Sequence, residues 1–163
     1  MKARITGVVM AAFLAVASVA TAQDGIGVGV ILGEPTGISI KKWISKDQAI
    51  DAAAAWSFSD NDSFQLHADY LIHNFGVLNT GSLGGKLPLY YGIGGRIKFE
   101  NSDNRSGHDH NDTLLGVRVP FGISYLFAKA PVDLFAEIVP VLDIAPDTDF
   151  HINGAIGARF YFR

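Results

Sequence analysis

The residues best equipped for chemistry fall into three groups. The densest is His108, Asp109, His110, Asn111 and Asp112, with Asp103 close by, a run in which imidazoles and carboxylates could hold Zn, Ni or Cu weakly. No Cys occurs in the chain, and neither a helical nor a strand-fixed ligand spacing is present, so a solvated loop is expected. His108 and His110 remain weak metal candidates and no metal is assigned. The second group is His67 and Asp69, which share one face of any strand that contains them, with Ser57 or Ser63 as a hydroxyl to activate. A nucleophile, a base and an orienting acid would make an acyl-transfer site. Hydrogen bonding in a polar interior explains the same residues, and no catalytic residue is assigned. The third group is ionic: Lys41, Arg96, Lys98, Arg118 and Arg159 against Asp51, Asp69, Glu100, Asp133 and Glu137. Ion pairing is the chemistry this group offers.

These charges sit within segments whose apolar residues alternate with polar or small ones, the period of a strand with two unlike faces. Eight such segments are read, at residues 25–32, 37–43, 48–58, 63–74, 88–100, 113–126, 132–142 and 150–162. In the fourth, Phe64, Leu66, Ala68, Tyr70 and Ile72 oppose Gln65, His67, Asp69 and His73. In the first, Ile26, Val28, Val30 and Leu32 oppose glycines, and no helix follows to present its N-terminus to phosphate, so nucleotide binding is not expected. Connections carry turn residues, such as Gly33-Glu34-Pro35-Thr36-Gly37 and Asp60-Asn61-Asp62. Residues 101–112 are the most polar stretch and are expected to be the longest exposed loop.

Lys2 and Arg4 precede an uncharged run over 5–19, and Ala20-Thr21-Ala22 precedes Gln23, the pattern of a secretory signal peptide cleaved after Ala22. The apolar run is short of the ~20 residues of a spanning helix. Two regions are therefore expected, a signal peptide over 1–22 and one domain over 23–163. Without Lys2 and Arg4, 11 basic residues face 16 acidic ones, and with no basic patch a nucleic-acid partner is not expected.

Volume decides which face points inward. The apolar face carries far more bulky side chains than an eight-stranded barrel, only just wide enough to be filled, can hold. The other face is mostly glycine, serine, alanine and balanced charges, which suits a narrow lumen. The expected fold is all-β, an eight-stranded antiparallel up-and-down transmembrane β-barrel with apolar residues outside and the ten charges inside. Glu137 is expected to partner Arg118 and Arg159 on the neighbouring strands. Trp43, Trp56, Phe58, Tyr70, Phe99, Tyr125, Phe150 and Phe162 fall near segment ends and are read as interfacial girdles.

The secretory signal, eight alternating strands, charged lumen and amphipathic terminal strand Ala158-Arg159-Phe160-Tyr161-Phe162 resemble the small OmpA- and OmpX-type outer-membrane barrels. The resemblance implies a monomer in the cell outer membrane with membrane lipid, lipopolysaccharide and the barrel-assembly machinery as partners, and no cofactor. It implies a structural, surface-interaction or adhesion role without an open pore. Arg163 follows the aromatic residue that usually ends such a chain. Some similar barrels modify lipid A; their deacylases carry a His-x-Ser pair on one strand, which this chain lacks. A lipid A-modifying enzyme and a soluble periplasmic lipocalin-like barrel holding an apolar ligand are the alternatives. With an even strand number both ends lie on the periplasmic side, placing 33–37, 60–62, 101–112 and 143–149 outside and 75–87 inside.

Overall fold

The computed structural model describes residues 23, 25–57, 63–78, 80, 84–102 and 110–162. Residues 1–22, expected from the sequence to be a signal peptide, and Phe58, Asp103, His108 and Asp109 lie outside the described residues. The strands are β1 Ile26–Gly33, β2 Thr36–Trp43, β3 Gln48–Ser57, β4 Ser63–Asn74, β5 Gly85–Lys86, β6 Leu89–Ser102, β7 His110–Arg118, β8 Phe121–Phe127, β9 Val132–Ala145 and β10 Asp149–Phe162. All pair antiparallel with their neighbours. The sheet closes where β1 meets β10, from Ile26 opposite Phe162 to Gly33 opposite Ala155.

Ten strands make eight staves. The short β5 and the long β6 both pair with β8, so they run as one stave through Leu87 and Pro88. Strands β7 and β8 form another, interrupted at Val119 and Pro120. Proline has no N–H to give to a ladder, yet its carbonyl still serves. Gly92 N donates to Pro120 O at 2.9 Å and Val119 N donates to Pro140 O at 3.0 Å, so the wall stays shut.

Alternation sets the two faces. Outward side chains are large and apolar: Ile38, Ile93, Ile138, Ile152 and Ile156 each lie between 56 and 66 % exposed. A continuous apolar surface of this kind far exceeds the few hundred Å² that soluble monomers leave bare. The interior is mixed: an apolar cluster that includes Ile31, Leu71, Tyr90 and Phe135 packs inside the ring beside buried charges, of which Lys41, Arg118, Asp133, Asp143 and Arg159 are at most 2 % exposed. No helix among the described residues is long and apolar enough to cross a membrane, a fact that leaves strands unaddressed.

Three expectations change here. Residues 101–112 are not one loop, because Asn101 pairs with Asn111 and Ser102 with His110, extending the β6–β7 hairpin into the polar stretch. Asp143 belongs to β9, not to a turn. A register step between Leu115–Ala145 and Gly116–Asp143 leaves Ile144 as an extra outward residue, and Asp143 still faces in. Trp43 is buried inside the barrel at its end, not on the outer girdle, whereas Trp56, Tyr70, Phe99 and Phe150 do face outward.

Candidate functional site in the barrel lumen

Three tiers of polar contacts fill the barrel. At the end that carries the β1–β2 and β9–β10 turns, Arg96 grips Asp143 with two hydrogen bonds, Nε to Oδ1 at 2.9 Å and Nη2 to Oδ2 at 2.5 Å. His151 Nε2 stands 3.4 Å from carboxylate oxygens of both Asp143 and Asp149. Lys98 pairs with Glu100 at 2.5 Å, partly exposed, and Ser57 donates to Glu34. Glu34, Ser57, Arg96, Lys98, Glu100 and His151 line a vestibule of about 350 Å³.

The middle tier is built on two guanidinium groups. Arg118 Nε lies 2.9 and 3.0 Å from the two oxygens of Asp69, and its Nη2 is 3.7 Å from Glu137, which also accepts the Tyr90 hydroxyl at 2.8 Å. Arg159 donates to Ser39 at 2.8 Å and to Asp51 at 2.9 Å, approaches Asp133 at 3.8 Å, and lies 3.9 Å over the Phe135 ring. Several fixed donors on one planar group suit this bridging of partners on different staves better than an ammonium would.

Towards the chain termini, Lys41 Nζ lies 2.9 Å from His73 Nε2 and 3.9 Å from Asp133, and Tyr161 donates to Asp133 at 2.7 Å. The lysine also sits 4.5 Å over Trp43, whose ring is 4.4 Å from His73. Trp43, Ala49, Leu126 and Tyr161, with Phe75 against them, close this end of the lumen.

Inward glycines make the tiers possible. A Cβ at Gly94 would collide with the Asp69 carboxylate and the backbone beside it, and one at Gly116 with Asp143. The wall is thin where the ion pairs are thick.

Lys41, Asp51, Asp69, Arg96, Arg118, Asp133, Glu137 and Arg159 thus lie together, while Lys98 and Glu100 stand at the mouth and pair with each other. The proposed Glu137–Arg159 pairing is replaced: Arg159 is held by Ser39, Asp51 and Asp133 instead. The sequence reading missed Asp143, and it set His73, Tyr90 and Tyr161 on the inward face without joining them to the charge network. Asp143 continues the two-residue period of Asp133 and Glu137, a signal hidden by the turn-like Asp and Pro around it. His67 is bonded to Gln65 at 3.3 Å and Asp69 to Arg118, while Ser57 bonds Glu34. His110 begins β7, and no group of three or more metal-ligating residues is found among the described residues.

A closed ring of antiparallel staves, apolar outside and packed with paired charges inside, has the architecture of a small transmembrane β-barrel. The chain belongs to the family described as "Protein of unknown function (DUF3996)", whose model matches residues 17–162. Among solved structures it resembles the N-terminal β-barrel domain of Pseudomonas aeruginosa OprF, with a TM-score of 0.65 at 15 % identity, covering 84 % of this chain and 95 % of that one. Neisserial surface protein A aligns with a TM-score of 0.48 at 17 % identity over 84 % of this chain and 93 % of its own. No curated protein matches. At such identities the likeness to OprF establishes a shared fold.

Proposed function

We propose that the protein is exported, loses residues 1–22, and serves in the outer membrane as a monomeric integral barrel. Its role is structural or surface-interacting, adhesion included, and it has no open pore. One observation carries this: the inversion of polarity, with apolar side chains turned outward around the whole ring and ion pairs turned inward. In water such an exterior would drive aggregation; in a bilayer it is the stable arrangement.

A filled lumen supports the absence of a pore. Side chains of Lys41, Arg118 and Arg159 cross the interior and are bound on both sides, so opening a path would mean breaking buried ion pairs. The same filling argues against a lipocalin-like role, which needs an apolar cavity inside. Partners on this reading are membrane lipid, lipopolysaccharide and the assembly machinery, which would meet Phe160 and Phe162 on the outward face of β10. The test is fractionation with gel migration: the protein should appear in the outer-membrane fraction and migrate differently when boiled. A protein released with soluble periplasmic content, or one whose migration ignores boiling, would refute the proposal.

A further inference from the structure

The two ends of the barrel carry opposite charge. Around the termini the described residues expose Lys42, Lys46, Lys86 and Lys129 against the single acid Asp47, which is occupied by a 2.7 Å hydrogen bond from Ser45. At the far end they expose Glu34, Asp147 and Asp149, and the only cation there that meets solvent, Lys98, is held by Glu100.

Two features turn the basic end towards lipid. Lys42 alternates outward with Ile38 and Ile40 and lies opposite Ile26 and Ile50, both lipid-facing in character. It therefore stands at the margin of the apolar belt, where a lysine lays its stem along apolar surface and extends its ammonium to the headgroups. Lys46 and Lys86 line a cavity of about 940 Å³ at the same end, with Phe75 and Thr80 beside them, and the Lys86 ammonium lies 5.5 Å from the Phe75 ring centroid. The recess lies over the closed end of the lumen, where Phe75 packs on the Trp43 cluster, and it gathers two ammonium groups at the same end as Lys42, a second place for a phosphate.

We propose that this lysine rim recognises the phosphates of anionic phospholipid headgroups in the leaflet on the side of the termini. Among the described residues the acidic far end offers no such site, so the barrel would distinguish the two leaflets by charge. The inference rests on the membrane reading above, but not on which compartment the termini face.

The experiment places the folded protein in nanodiscs of phosphatidylcholine mixed with phosphatidylglycerol and counts, by native mass spectrometry, the lipids that stay bound. Phosphatidylglycerol should be retained over phosphatidylcholine by at least about fivefold, the effect of one lysine near an anionic surface. The preference should fall as salt rises. The variant Lys42→Gln/Lys46→Gln/Lys86→Gln/Lys129→Gln, which changes only exposed side chains, should lose it, while Glu34→Gln/Asp147→Asn/Asp149→Asn should keep it. Equal retention of the two lipids by the unaltered protein, or a preference that survives in the lysine variant, would overturn the proposal. So would lysine-dependent sedimentation with purified peptidoglycan in the absence of any lipid preference, which would assign the rim to the cell wall. Failure to enter the bilayer at all would bring down the membrane reading as well, and is distinguishable because no lipid of either kind would then be retained.

Discussion

Replacing Arg118 with Leu removes the cation that lies between Asp69 and Glu137, at 2.9 and 3.7 Å. All three side chains are at most 6 % exposed, so water cannot stand in for the lost guanidinium. Breaking a buried pair by deleting one partner costs about 3–5 kcal/mol, because the remaining charge is stranded. Tyr90 still donates to Glu137, which leaves Asp69 as the group most exposed to the loss. Deleting Asp69 together with Arg118 should restore most of the stability, since an apolar replacement of a whole buried pair is close to neutral. Urea unfolding of the refolded protein in detergent, followed by gel migration and tryptophan fluorescence, reads each free energy. The double-mutant cycle should give a coupling of about 2–4 kcal/mol, well outside the ~0.5 kcal/mol expected of independent sites. Lys98→Gln is the control: its pair is 18 and 22 % exposed, and it should cost no more than about 1 kcal/mol. An Arg118→Leu protein as stable as the parent, or a double variant that is simply the sum of the two singles, would refute the reasoning.

Three further outcomes are expected. Gly116→Val should lower the unfolding free energy by about 1–3 kcal/mol through collision with Asp143, whereas Gly95→Ala, whose added Cβ would meet nothing closer than 3.7 Å, should be neutral in the same assay. Ile138→Arg, at a position 61 % exposed in mid-strand, should destabilise the folded protein in vesicles by about 2–4 kcal/mol, and by much less in a variant at the belt margin such as Ile26→Arg. N-terminal sequencing of the exported protein should begin at Gln23; finding Met1 there would remove the case for export.

Much of the fold was legible because alternation is a local signal. Ile38, Ile40 and Lys41 already give the parity of β2, and strict counting from them turns Trp43 inward. The girdle reading lost that count to the general habit of aromatics at strand ends. Asp143 was obscured in the same way, by Asp147, Pro146 and Asp149 nearby. Where every residue is polar, as at Asn101 and Asn111, alternation has no contrast, and the extension of the β6–β7 hairpin could not be seen. The lumen contacts are harder in kind. The Lys41–His73 contact joins residues 32 apart and Arg159 meets Asp51 across 108, so they depend on ring closure and on the depth of each residue along its stave. Sequence supplied the cast of charges; pairing required the register.

Single-cysteine labelling, made clean by the absence of Cys from the sequence, tests whether the acidic turns of the proposed outer-membrane barrel face the outside of the cell. Asp147→Cys, in the exposed β9–β10 turn, should react with an impermeant maleimide on intact cells. Lys129→Cys, in the exposed β8–β9 turn at the other end, should react only after the outer membrane is opened. Labelling in the reverse order would contradict the orientation, and labelling of both sites only after opening would contradict placement in the outer membrane with turns at the surface.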